Sequence, residues 1–305
     1  MIKLPFTYRD VIRNSIKVCW QVDDLLPPDF ELDLTRPQLP EAIARAMVLD
    51  FLSEREQLAL NHIRSHAYMN IFIFVEEYVI AETLHHAEAE LFGDHDALRA
   101  LLRFSEEEIK HQAMFNRYCT AFKQAFKGPC EVLSSAAQVA NVILGYPPMG
   151  VMLTTLHLEI VTQQHYIDSI RDHGTNPLFV RLLKHHWLEE AQHTKIDMLE
   201  LAKMAEHADP EAVQGAFRDY LAIVASLDDL LRQQVEMDLV SIQAFCGREF
   251  TDGQKEQYRE LQHDSYRRDF IRLSITHPQY LNFCGELWPE GTRLVAQQLT
   301  KYQAA

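Results

Sequence analysis

Apolar and polar residues do not alternate over any sustained stretch of this chain, so no strand is predicted. Long blocks mix them at helical spacing instead, and breakers separate the blocks. Ser53 and Glu56 form a capping box that opens a helix predicted to run to Leu91 and to stop at Phe92-Gly93-Asp94. A second helix is predicted over about 95–127, closed by Gly128-Pro129. A shorter one reaches Leu144 before Gly145-Tyr146-Pro147-Pro148. Helices over 150–173 and 177–207 follow, ended by His173-Gly174 and Asp209-Pro210. Further helices are predicted over about 211–246, 254–276 and 290–303. Residues 1–40 carry five prolines and read as an irregular arm with a short helix near Arg9–Trp20. Glu41–Asp50 reads as another short helix. The fold class is all-α, with one helical domain over 41–305 behind the arm.

Carboxylates interrupt the apolar faces of these helices. Glu77 follows Ile71-Phe72-Ile73-Phe74-Val75 and precedes Ile80 and Leu84. Glu159 sits among Met152, Leu156, Leu158, Ile160 and Val161. Glu-x-x-His occurs four times, at Glu82/His85, Glu108/His111, Glu190/His193 and Glu260/His263. Chance would supply about one such match, so spacing has to carry the signal. Glu77 stands 31 residues before Glu108, and Glu159 stands 31 before Glu190. Glu77/Glu159, Glu108/Glu190 and His111/His193 are each 82 apart. The chain thus repeats a helix hairpin, each copy offering one Glu on its first helix and Glu-x-x-His on its second.

Residues i and i+3 share a helix face, so the Glu and His of each motif can point at one ion. Two such hairpins bring four carboxylates and two imidazoles to a bundle centre, the pattern of ferritin-like di-iron carboxylate proteins. Four buried negative charges need cations. His186 lies four residues before Glu190 on the same stripe, whereas the matching position before Glu108 is Phe104. The predicted metal ligands are therefore Glu77, Glu108 and His111 against Glu159, His186, Glu190 and His193. Glu77 is preferred to Glu76 for its 31-residue offset. Glu82/His85, without a ligand-type echo 82 residues on, reads as a surface pair. His62, His66, His85, His86, His95, His157, His165, His173 and His207 read as surface or local hydrogen-bonding residues.

The run Glu159, His186, Glu190-x-x-His193 resembles the di-iron p-aminobenzoate N-oxygenase family, as does Ser105-Glu-Glu-Glu-Ile-Lys-His-Gln-Ala-Met-Phe115. The resemblance covers about residues 45–205. It implies a ferritin-like four-helix core over about 53–207, with additional N- and C-terminal helices, the latter over 208–305. It further implies two iron ions, dioxygen as co-substrate and N-oxygenation of a small (aromatic) amine beside the metals, with a third histidine on one ion. The ligand types also leave room for a mixed manganese/iron pair. A ferroxidase or iron-handling protein with the same ligands is the alternative, and a metal-free helical interaction protein is a third reading.

Composition narrows the partners. The net charge of −15, from 44 acidic and 29 basic residues, argues against nucleic acid. The longest apolar stretch, around Tyr68–Val75, is far too short for a membrane span, and the first residues hold no secretory apolar region. No two of the five cysteines form C-x-x-C, which suits reduced thiols in a cytoplasmic protein. With neither a Gly-rich dinucleotide fingerprint nor an iron–sulfur cysteine set, electrons are expected from a separate reductase or small redox carrier. A homodimer is compatible with all of this.

Overall fold

The structure, a computed structural model, describes residues 2–133, 135–171 and 176–303. The main helices are α1 (Tyr8–Ser15), α2 (Glu54–Ala89), α3 (His95–Ala125), α4 (Ala136–Ile143), α5 (Pro148–His165), α6 (Pro177–His207), α7 (Pro210–Cys246), α8 (Asp252–Arg267) and α9 (Pro278–Leu287). No strand occurs among the described residues.

Local chemistry sets most of these boundaries. Ser53 caps α2 through its capping box with Glu56, and Asp94, Asn176 and Asp209 cap α3, α6 and α7 with their side chains. Proline opens α5, α6, α7 and α9, where the lost N–H is unneeded. The hairpins α2–α3 and α5–α6 form the four-helix core, and α7 packs along both α5 and α2. α2 is buried on every side between Ala59 and Met69, which is why its sequence there shows no solvated stripe.

Three stretches depart from the sequence reading. The helix expected over Glu41–Asp50 lasts only Glu41–Ala44, because Arg45 adopts a left-handed conformation at φ 48°. The spans expected as continuous helices over 150–173 and 254–276 each contain a wide π turn, Tyr166–Ile170 and Arg268–Arg272. His173 lies outside the described residues. α9 falls between the helices expected over 254–276 and 290–303, where the sequence reading placed none.

A buried cation ties the core to the later helices. The Arg64 side chain on α2 is 1% exposed. Its guanidinium carbon lies 3.4 Å from the centre of the Tyr266 ring, and Nη1 is 3.7 Å from Asp238. Asp238 also accepts hydrogen bonds from Tyr266 (2.8 Å) and Gln234 (2.8 Å). An ion so deep requires this company.

Candidate metal centre

The four core helices bring Glu76, Glu108, His111, Glu159, His186, Glu190 and His193 to one buried point. Their donor atoms fall into two groups, Glu76/His111/His186 and Glu108/Glu159/Glu190/His193, each within 4.8 Å. Glu108 straddles the groups: Oε1 is 2.7 Å from His193 Nδ1, and Oε2 is 3.2 Å from His111 Nδ1. Glu190 does so with one oxygen, Oε1, 3.0 Å from His186 Nε2, 3.3 Å from His111 Nδ1 and 3.4 Å from His193 Nδ1. Glu76 Oε1 is 3.3 Å from His186 Nε2.

Glu77 is the exception among the sequence-derived candidates. It is exposed, and its carboxylate accepts a hydrogen bond from Gln112 at 2.8 Å, while Glu76 turns inward. One residue rotates a helical side chain by roughly 100°, so only one of the two can face the centre. The 31-residue rule chose the wrong one because the two hairpins close differently. Glu90–Asp94 joins α2 to α3, whereas the π turn at Tyr166–Ile170 intervenes between Glu159 and α6. Equal residue counts across unequal connectors do not give equal angles.

Two further carboxylates were missed. Glu189 accepts from His111 Nε2 at 2.9 Å, and Glu107 accepts from His193 Nε2 at 3.0 Å. Each hairpin thus steadies the other's imidazole and turns its Nδ1 inward. Glu107 is held by Ser15 of α1 (2.5 Å) and Arg103 (3.1 Å), and Glu189 by Lys110 (2.5 Å). The available signal was the doubled glutamate, Glu107-Glu108 and Glu189-Glu190, which repeats at the same 82-residue interval.

The donor set fits metal cations. Glu108 Oε1, Glu159 Oε2, Glu190 Oε1 and His193 Nδ1 are buried without a well-formed hydrogen bond, a costly state that coordination would relieve. Burial alone would raise every carboxyl here. For Glu190 the charges of His186 and His193 outweigh burial and hold it well below the usual range. For Glu159 burial wins, reinforced by the Glu190 charge, so its carboxyl is pushed well up. Burial opposes the charge on His111, yet Glu108 and the other carboxylates raise it to about 9. Imidazoles and carboxylates at this spacing suit iron or manganese.

Aromatic rings pack around the donors. Phe104 stacks on His193 with centroids 3.9 Å apart, and Trp20 stacks on His111 at 6.1 Å. Phe72 and Phe115 meet His186 edge-on at 5.4 and 5.0 Å.

Glu82 also differs from its expected surface position. It is buried and hydrogen-bonds His86 at 3.1 Å, while His85 is exposed. His86 Nδ1 faces Glu200 at 3.2 Å; burial lowers its pKa, but Glu200 and Glu82 outweigh that and raise it to about 9. Of the remaining histidines read as bystanders, His62, His66, His157 and His165 are buried, each with a polar partner. His95 and His207 are exposed.

A cavity of about 480 Å³ opens between α2, α4, α5 and α7, within the range of small-molecule sites. Its walls are mostly apolar, including Ile71, Phe74, Leu158, Ile223 and Leu227. Tyr78 also lines it. The Tyr78 hydroxyl is buried beside Thr155 without a well-formed hydrogen bond. Burial raises its pKa, Thr155 opposes, and the nearby charges of Glu159 and Asp197 add to the rise. Tyr78 thus lines the cavity and lies within electrostatic range of Glu159.

Among the described residues, no helix is long and apolar enough to cross a membrane. The family described as p-aminobenzoate N-oxygenase AurF matches residues 20–298, well beyond the 45–205 covered by motif resemblance. No match was found among curated proteins.

Proposed function

The chain belongs to the p-aminobenzoate N-oxygenase AurF family, so it is a non-haem di-iron oxygenase, and we propose that it N-oxygenates a small amine bound in the cavity that Tyr78 lines. The observation that carries this reading is the straddling of two donor groups by Glu108 and Glu190, with an apolar space next door.

In this reading Glu76, His111 and His186 would hold one ion, and Glu159 and His193 the other, with Glu108 and Glu190 within reach of both. Two iron ions there would supply the redox chemistry that splits dioxygen and delivers one oxygen atom to the substrate. Glu107 and Glu189 orient the imidazoles. His186 gives its ion a second neutral donor, which tunes that side of the centre. The apolar walls keep water from the reacting nitrogen. Electrons come from a separate reductase or redox carrier, because the chain carries no second redox motif. A space for an organic ligand favours oxygenation over the iron-handling alternative, which has no use for one.

The test is anaerobic loading with ferrous iron, then exposure to oxygen with candidate amines. Stoichiometric iron uptake, an oxygen-dependent visible band and nitroso, hydroxylamine or nitro products are expected. Iron uptake with large cage assembly and no amine consumption would refute N-oxygenation in favour of iron handling.

A further inference from the structure

The cavity has a charge pattern that its family's name does not suggest. Among the described residues lining it there is no Lys, Arg or His. Its one charged lining residue is Asp229, exposed at the mouth. Arg232, the nearest cation along α7, is not on the wall and is engaged with Asp229 (3.4 Å) and Asp228 (3.6 Å). Its other polar lining residues, Tyr78, Ser135, Gln138, Thr154, Ser226 and Gln233, carry no charge. A carboxylate ligand would thus leave water without a cationic partner, and would meet the negative charge of Asp229 at the mouth.

Resting on the N-oxygenase reading above, we propose that this cavity selects amines that lack a carboxylate, uncharged or cationic, and discriminates against aminobenzoates. The polar end of such a ligand meets only neutral polar side chains of the lining, Ser135, Gln138 and Ser226. The apolar remainder lies along Ile71, Phe74 and Leu227.

A matched pair tests this in the iron-loaded protein: p-aminobenzoate and its methyl ester, identical except for the charge, titrated calorimetrically. The ester is expected to bind at least about 100-fold more tightly. Gln138→Arg, at an exposed position on the rim, should close that gap by about tenfold by giving the carboxylate a partner. Equal affinities in the unaltered protein, no binding of the ester, or an unchanged gap in Gln138→Arg would each overturn the proposal. Product analysis separates it from its premise. An ester that binds tightly but is not oxidised at nitrogen leaves the charge selection standing and removes N-oxygenation. An acid bound as tightly as the ester and oxidised at nitrogen does the reverse.

Discussion

The two hairpins of the core, α2–α3 and α5–α6, use the same slot for different chemistry. Phe104 and His186 each sit four residues before the glutamate of a Glu-x-x-His motif. Each covers the other hairpin's imidazole, Phe104 lying flat on His193 and His186 standing edge-on to His111 at 4.4 Å. In the first hairpin the slot holds a carbon ring that only packs. In the second it holds a ring with a nitrogen 3.0 Å from Glu190. Side-chain identity, on a shared backbone geometry, makes one half of the centre richer in nitrogen. The paired outer carboxylates Glu107 and Glu189, by contrast, keep the halves alike.

Breaking the symmetric part should have the largest effect. Glu108→Ala and Glu190→Ala are each expected to abolish uptake of two irons per chain, measured by metal analysis after desalting; either variant retaining both ions would refute the shared-carboxylate reading. His186→Phe makes the halves alike. It should weaken one ion by roughly 100-fold while sparing the other, giving a biphasic iron titration where the unaltered protein gives one phase. Glu107→Gln and Glu189→Gln should each cost about 10–100-fold in metal affinity, and equally if the hairpins are equivalent in this respect.

A smaller effect separates the hairpins through pH. Only the first hairpin places a histidine, His86, between Glu82 and Glu200 one end below the centre. Its folded pKa of about 9 lies above the unfolded value, so its contribution is complete below about pH 6.5 and is lost as pH rises through 9. Metal-free protein should lose up to about 3 kcal/mol relative to His86→Gln between about pH 6 and about pH 10, read from denaturant melts. The smallest effect is at Glu77. Glu77→Gln should change stability by no more than about 0.5 kcal/mol and leave iron uptake intact, whereas Glu76→Gln should impair it.

That last contrast marks where the sequence is legible. Within one unbroken helix the 3.6-residue period links His186, Glu190 and His193 on one face without reference to anything else. The helix starts are equally local, as Ser53, Asp94, Asn176 and Asp209 illustrate. Glu76 could not be read this way, because its relation to Glu108 passes through a connector, and a π turn in the matching connector leaves no trace in residue spacing. Glu82 and His86 looked solvated because their partner Glu200 comes more than 100 residues later, on another helix.

Arg64 gives the order of assembly during synthesis. When the chain has emerged only as far as residue 207, every donor of the centre has been made, but Asp238 and Tyr266 have not. At about 5–20 residues per second, the missing helices follow only seconds later. Through that interval the Arg64 guanidinium on α2 has neither of these partners and is accommodated only in water. A chain cut after α6 would keep every donor of the centre while its Arg64 guanidinium lacked both Asp238 and Tyr266.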